Sequence, residues 1–453
     1  MLITKRYRKT KLKLRAHEIY AEFRYRVIVE GILVGIFGGT CVSFFRWALG
    51  HADDLRKSLI DNSFNSLSGL LIALGVLAIL MFIAFLGLKL EPLSSGSGIP
   101  QVEGELQGKI ETCWWRILIV KIVSGFCAIT GGLSLGREGP SIQIGAMAGK
   151  GLSYSSEFFS RDRKKMIVCG AGVGLAAAFS APLAGIIFTI EELEKKYSTE
   201  QLLCTMAGCI TSDWIASGLF GLNPVFRIIL DGTLPIELYW EIPVFGLILG
   251  TLGTVYNKSI SLSQDFFAKM KKPWMKGAFI SICIIVFAAV FPEVLGSGHS
   301  LVESASYAMW SVKYLLILLV LKFVFSMLSF GTGAPGGIFL PLLVMGGVTG
   351  ALYAEIMSNI TNSTMDYLSL FIILGMAGYF SAIVKAPLTG LILISEMTGV
   401  LKNLLPLAIV SFTSFIVSEM MYSQPVYTQL LNRMLKGMKI DNTKSIKPHK
   451  PER

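Results

Sequence analysis

The sequence predicts an all-α polytopic membrane protein made of two inverted-topology repeats of tilted and half-crossing helices. Apolar residues are 53% of the 453 residues and charged residues only 16%. Mean hydropathy is +0.62, beyond what a soluble globular chain carries. Apolar stretches begin near Arg26, Gly69, Trp115, Ile167, Leu202, Trp240, Ala278, Lys313, Gly337, Tyr367 and Leu404. Several fall short of the roughly 20 residues of a full crossing or are broken by Gly and Pro, so their ends must be buried in protein rather than face lipid.

The chain also repeats itself. Residues 170–191 align without gaps on 375–396, matching Gly170 with Gly375, Ala181-Pro182-Leu183 with Ala386-Pro387-Leu388, and Glu191 with Glu396. Upstream, Lys121 falls on Lys322, Gly136 on Gly337, Pro140 on Pro341, Gly145 on Gly346 and Gly149 on Gly350. Two repeats of similar size follow. The first Ala-Pro-Leu helix runs into Glu191-Glu192-Leu193-Glu194-Lys195-Lys196, an end suited to the cytoplasm, whereas the second runs into Glu396-Met397-Thr398-Gly399-Val400. Opposite flanks imply opposite topology, which brings helix starts from both sides to the bilayer midplane.

In chain order the expectation is a basic N-terminal segment (1–26), membrane repeat 1 (27–220), membrane repeat 2 (221–430) and a basic tail (431–453). The formal charge of +11 sits almost wholly in the two ends. By the positive-inside rule both are cytoplasmic, lying near anionic lipid. They carry no nucleic-acid-binding signature. The charged N-terminal region is too long for a cleavable signal peptide. Seven cysteines form no CxxC pair, and four histidines form no metal motif. No GxxxxGK[ST] loop is present, no enzyme chemistry is encoded, and no cofactor is expected.

Three Gly-rich segments each end in a proline that opens an apolar helix: Gly96-Ser97-Gly98-Ile99-Pro100, Gly136-Arg137-Glu138-Gly139-Pro140 and Gly337-Ile338-Phe339-Leu340-Pro341. Proline suits the first turn of a helix, where unbonded N–H groups and the positive end of the dipole favour an anion. In a chain this apolar, such starts take an anion out of water without a permanent cationic partner, which points to anion passage through a membrane. Small residues also let helices pack closely. That is the reading for Gly145, Gly149, Gly346 and Gly350, but it leaves the matched Gly-x-x-x-Pro segments unexplained.

Glu138 lies inside one of these starts. Its carboxylate can occupy the site itself, and a substrate anion or a proton can displace or neutralise it. Arg137 beside it reads as an electrostatic partner at a pore mouth. Glu191 and Glu192 end a helix with their side chains about 100° apart, so one faces the interior. Lys121 and Lys322 sit in apolar runs; each needs a carboxylate, a carbonyl or a passing anion, and Lys322 is also read as reaching the membrane surface. Ser97 and Tyr427 offer uncharged hydroxyl donors.

These residues closely resemble the three signature segments of the ClC chloride channel and transporter family, in the same order and spacing. The resemblance implies a homodimer with one anion path per subunit, chloride and protons as substrates, and a prokaryotic inner membrane as the setting. It implies that Ser97 and Tyr427 donate hydroxyls to a central chloride, completed by the N–H groups of Ile338 and Phe339. It further implies that Glu138 is the external gating glutamate, Glu192 the internal proton glutamate, and Glu191 a residue lining the water route to Glu192. Serine at 97 resembles the chloride-selective members. Glu138 and Glu192 together favour a proton-coupled exchanger over a passive channel of the same fold. Gln101 departs from the glutamate common at that position, and the large cytoplasmic regulatory pair of domains of eukaryotic members is not expected. A membrane assembly protein whose Gly-rich turns only pack helices is the alternative of another class.

Overall fold

The protein is described by a computed structural model over residues 2–63, 66–155, 162–195, 198–230, 234–270, 272–307, 310–361 and 367–442. Among the described residues there are seventeen α-helices and no strand beyond one isolated bridge. The first series is α1 (Leu2–Ser63), α2 (Leu67–Leu90), α3 (Ile99–Leu106), α4 (Trp114–Thr130), α5 (Glu138–Ser153), α6 (Arg163–Phe179), α7 (Pro182–Phe188) and α8 (Thr199–Phe220). A second series recurs in the same order: α9 (Glu241–Ala268), α10 (Pro273–Val290), α11 (His299–Tyr307), α12 (Val312–Gly331), α13 (Phe339–Thr361), α14 (Leu368–Val384), α15 (Pro387–Thr398) and α16 (Leu404–Met420). One further helix, α17 (Val426–Asn442), follows. Residue 26 falls inside α1 rather than at a helix start.

Among the described residues, six segments are long and apolar enough to cross a membrane: Tyr25–Ser58, Ser68–Leu90, Thr199–Phe220, Ile236–Ala268, Val312–Gly331 and Phe339–Ile360. Others are too short, as the interrupted apolar stretches imply. Local chemistry sets many of their starts. Ser66, Ser198 and Ser311 cap α2, α8 and α12 through their hydroxyls. Proline occupies the first turn of α3, α7, α10 and α15. After α7 the chain widens into a π-helical turn, Thr189–Glu194, a rare form that is frequent at functional sites.

The buried centre is made by α5, α6 and α14 with the first part of α13. Glycine makes it dense. A Cβ at Gly145 would lie 2.2 Å from the Gly170 carbonyl oxygen, and one at Gly346 would lie 2.4 Å from that of Gly375. The same backbone approach thus occurs at equivalent positions of both series, and close packing is what these glycines serve.

Contacts between the series are reciprocal. Gly136 N–H donates to the Gly337 carbonyl at 2.7 Å, and Gly337 N–H returns the bond to Gly136 at 2.7 Å. Gly96 donates to Gly333 at 3.2 Å, and Gly296 donates to Gly132 at 3.0 Å. Glu191 accepts from the N–H groups of Leu388 (3.1 Å) and Thr389 (2.7 Å) at the start of α15. Glu396 accepts from Leu183 (3.1 Å) and Ala184 (2.7 Å) at the start of α7. Equivalent residues exchanging equivalent bonds is the arrangement a two-fold relation between the series produces.

Candidate functional site

The Gly136–Gly337 bridge lays the starts of α5 and α13 side by side, in antiparallel sense. The α3 start reaches the same place because Gly98 adopts φ 95°, a left-handed conformation that glycine takes without strain. A Cβ at Gly139 would lie 2.4 Å from Ser97 Oγ and 2.7 Å from Ser97 O. The Ser97 side chain therefore rests on the first turn of α5, where only glycine leaves room. A Cβ at Gly136 would lie 2.1 Å from Glu138 Oε2 and 3.0 Å from the Leu340 nitrogen. The Glu138 carboxylate thus folds back between the starts of α5 and α13. Phe339 opens α13 with its ring against Phe179 (5.5 Å between centroids) and Phe380 (4.7 Å).

Tyr427 arrives from α17 and is wholly buried. Its delivery depends on Asn257 in α9, whose side-chain amide donates to the carbonyls of Ile383 (3.1 Å) and Gln424 (3.1 Å) and to Ser423 Oγ (3.2 Å). Gln429 ties the same turn back to the Asn257 carbonyl at 3.2 Å and to Ser261 Oγ. The Tyr427 hydroxyl lies within electrostatic reach of Glu138, Glu192 and Tyr256.

Buried polar atoms are normally hydrogen-bonded. Here Ser97 Oγ, Tyr427 OH and Glu192 Oε1 are buried and make no hydrogen bond within the protein, and the buried Glu138 carboxylate faces the N–H groups of its own residue and of Leu340 without closing a well-aligned hydrogen bond to either. Ile338 and Phe339 stand at the start of α13, where a helix leaves its first N–H groups without intrahelical acceptors. Two orphaned hydroxyl donors beside helix starts form a partner set for an anion, and Glu138 supplies a carboxylate where such an anion would compete with it.

Two cavities reach these helix starts. One cavity, of 250 Å³, is lined by Arg137 and Leu340 together with Asp53, Arg56 and His299. Another, of 280 Å³, is lined by Ser97, Gln101, Gln264, Phe330 and Arg433. Arg137 therefore borders the first of these cavities. Gln101 is buried, and its amide donates to the Ser95 carbonyl at 2.8 Å, which leaves the α3 backbone start undisturbed.

Glu192 is 4% exposed and lies in the π-helical turn, with Lys195, Glu103 and Glu191 as charged neighbours. The adjacent Glu191 points away to the start of α15, where the Thr389 hydroxyl also donates to it at 2.7 Å. This engagement of Glu191 was not foreseen from the sequence. Lys322 does not reach the membrane surface. It is wholly buried, and its amine donates to the carbonyls of Val294 (2.8 Å) and Gly296 (2.8 Å). Lys121 makes the equivalent pair with Ser94 (2.9 Å) and Gly96 (2.7 Å). Each lysine ties down the turn that precedes a half-crossing helix, α11 in one case and α3 in the other.

Sequence reasoning passed over Asn257, Ser261 and Asp265. Their spacing of four residues places them on one face of α9, and that polar stripe in an apolar helix was the available signal. It also passed over Glu396 as a partner for the start of α7, although its alignment with Glu191 was visible. Among the described residues no cluster of His, Cys, Asp and Glu suits a metal ion.

The profile of the family described as voltage gated chloride channel matches residues 75–419. The chain belongs to this family. An H(+)/Cl(-) exchange transporter, ClcA, from Vibrio cholerae serotype O1 (strain M66-2) is 34% identical over 447 residues, covering 94% of this chain and 93% of the relative. A protein of the same description from Salmonella arizonae is 32% identical, covering 90% and 87%. The crystal structure of a slow cyanobacterial Cl-/H+ antiporter superposes with a TM-score of 0.85 at 28% identity, covering 91% of this chain and 98% of that one. The family is one of transporters and channels, and the apolar helices place the chain in a membrane.

Proposed function

We propose that this protein exchanges chloride for protons across a bacterial inner membrane, as the relatives' names describe for them. The observation that carries this is the set of orphaned buried groups: two hydroxyl donors, Ser97 and Tyr427, at converging helix starts, with the carboxylates of Glu138 and Glu192 both buried nearby. Ser97, Tyr427 and the N–H groups of Ile338 and Phe339 hold a central chloride. Glu138 alternates between occupying the anion site as a carboxylate and leaving it when protonated. Glu192 takes protons from the other side, so chloride and protons share Glu138 but part company beyond it. Glu191, fixed at the start of α15, borders the water route to Glu192. A passive channel would have no use for a buried carboxylate at position 192.

The repeats span 27–220 and 221–430, inverted in the membrane, with both termini cytoplasmic. The protein works as a homodimer. The start of α7 and the start of α15 present Leu183 (56% exposed) and Leu388 (59% exposed) beside N–H groups held by Glu396 and Glu191. Carboxylates at such exposed helix ends are costly to leave against hydrocarbon, and the exposed apolar residues of α8 and α16, among them Ile210, Trp214, Leu405 and Phe412, offer further surface for a second copy.

Liposomes containing the purified protein, followed with a chloride electrode and a pH electrode, test the proposal. A chloride gradient drives protons in wild type. In Glu192→Gln chloride still moves and protons do not. Chloride movement without protons in wild type establishes the channel in its place, and no chloride movement at all removes both.

A further inference from the structure

The two series build the same turn twice. Gly96-Ser97-Gly98 leads into α3 and Gly296-Ser297-Gly298 into α11, with φ 58° and 95° at the first pair of glycines and 64° and 85° at the second. Lys121 and Lys322 bind the two turns through equivalent carbonyls. The helices beneath the turns differ. On α5, Gly139 and Gln143 lie one turn apart on one face, and the equivalent positions on α13 carry Leu340 and Val344. A Cβ at Gly98 would lie 2.5 Å from Gln143 Oε1, and one at Gly298 would lie 3.0 Å from Val344 Cγ1. Gln143 is wholly buried, its amide donates to the Leu93 carbonyl at 3.0 Å, and its Oε1 has no hydrogen-bond partner within the protein. A stranded buried acceptor is unfavourable, and valine supports the second turn without one.

We propose that Gln143 is a positioning residue for the anion site: it fixes the turn that presents Ser97, and together with Gly139 it makes an anion site of the α3 start and not of the α11 start. The proposal rests on Ser97 holding chloride, but not on proton coupling. Two contacts do the positioning. The amide tethers Leu93, ahead of the turn, and the side chain fills the space beneath Gly98, at its end, so Ser97 between them is held down on Gly139. In the second series Leu340 stands where Gly139 admits a serine, Val344 offers no tether, and Ser297 lines the 250 Å³ cavity. The buried lysines do not account for the difference, because both series have one. A packing role requires volume alone, whereas the tether requires a donor facing the Leu93 carbonyl.

Isothermal titration with chloride in detergent, with thermal unfolding of the same samples, separates the two roles. Gln143→Met keeps the length and removes both the tether and the stranded acceptor, so its melting temperature stays close to wild type while its chloride Kd rises about 3- to 10-fold. Gln143→Glu separates the donor from the volume, because its protonated carboxyl group donates to the Leu93 carbonyl and its carboxylate does not. Its Kd, taken relative to wild type at the same pH, therefore returns to the wild-type value on acidification, a recovery that Gln143→Met does not show. Val344→Ala, which loosens the equivalent seam in the second series, lowers the melting temperature and leaves Kd unchanged. A wild-type Kd in Gln143→Met, an equal rise in Val344→Ala, or a Gln143→Glu defect indifferent to pH overturns the proposal while leaving the chloride site standing. A wild type that binds no chloride removes the site and this proposal together.

Discussion

Replacing Lys121 and Lys322 one at a time with methionine gives two perturbations of equal cost and unequal consequence. Each lysine is wholly buried, and each amine serves two main-chain carbonyls. Methionine has similar bulk but no donor, so either variant strands two carbonyls. At about 1–3 kcal/mol for each unsatisfied buried group, the expected destabilisation is about 2–6 kcal/mol in both. The functional effect differs. Lys121 holds Ser94 and Gly96, and Gly96 precedes Ser97, whereas Lys322 holds the corresponding turn before α11, which contributes no group to the anion site. Displacing Ser97 removes a hydrogen bond to a charged group, about 1.5–3 kcal/mol, or about 10- to 100-fold in chloride Kd. Thermal unfolding in detergent measures the first quantity, and isothermal titration with chloride measures the second. Equal loss of chloride affinity in Lys121→Met and Lys322→Met refutes the reasoning, as does retention of wild-type stability by either.

Glu138→Gln mimics the protonated gate, so chloride flux in liposomes becomes nearly independent of pH and proton coupling disappears; proton pumping driven by a chloride gradient in this variant removes Glu138 from the gate. Ser97→Pro raises nitrate use relative to chloride in anion-competition flux, and an unchanged ratio removes Ser97 from the site. Glu191→Gln weakens coupling without abolishing it, read as protons moved per chloride, because the amide still accepts from the α15 start while losing the charge that favours it. Gly136→Ala displaces the Glu138 carboxylate, since a Cβ there would lie 2.1 Å from Oε2, and its chloride flux resembles that of Glu138→Gln more than that of wild type.

What the sequence disclosed and what it withheld divide along physical lines. Backbone anion starts leave a signature because the glycines and the following proline are forced by local geometry, and Gly98 at φ 95° is one such position. The repeat was legible because equivalent backbone approaches, such as Gly145 on Gly170 and Gly346 on Gly375, tolerate no side chain in either copy. Partners far apart in sequence were not legible. Lys322 and the Gly296 carbonyl, or Asn257 and the turn before Tyr427, meet only once helices have packed, and an amine or amide bonding to main chain imposes no residue type on the other side. The π-helical turn at Thr189–Glu194, which carries both Glu191 and Glu192, was equally hidden.

The crossed carboxylates carry a consequence for biosynthesis. Leu183 and its acceptor Glu396 are separated by 213 residues, so at about 5–20 residues per second the start of α7 waits roughly 10–40 s before its partner has been made. Until then an uncapped helix end and a run of apolar residues stand in the bilayer or beside the insertion machinery with nothing of their own chain to cover them. Neither half can finish itself. A ribosome that stalls between α8 and α15 therefore leaves a membrane-inserted fragment with exposed main-chain donors, a ready substrate for quality-control proteases, and separately expressed halves become stable only when both are synthesised together.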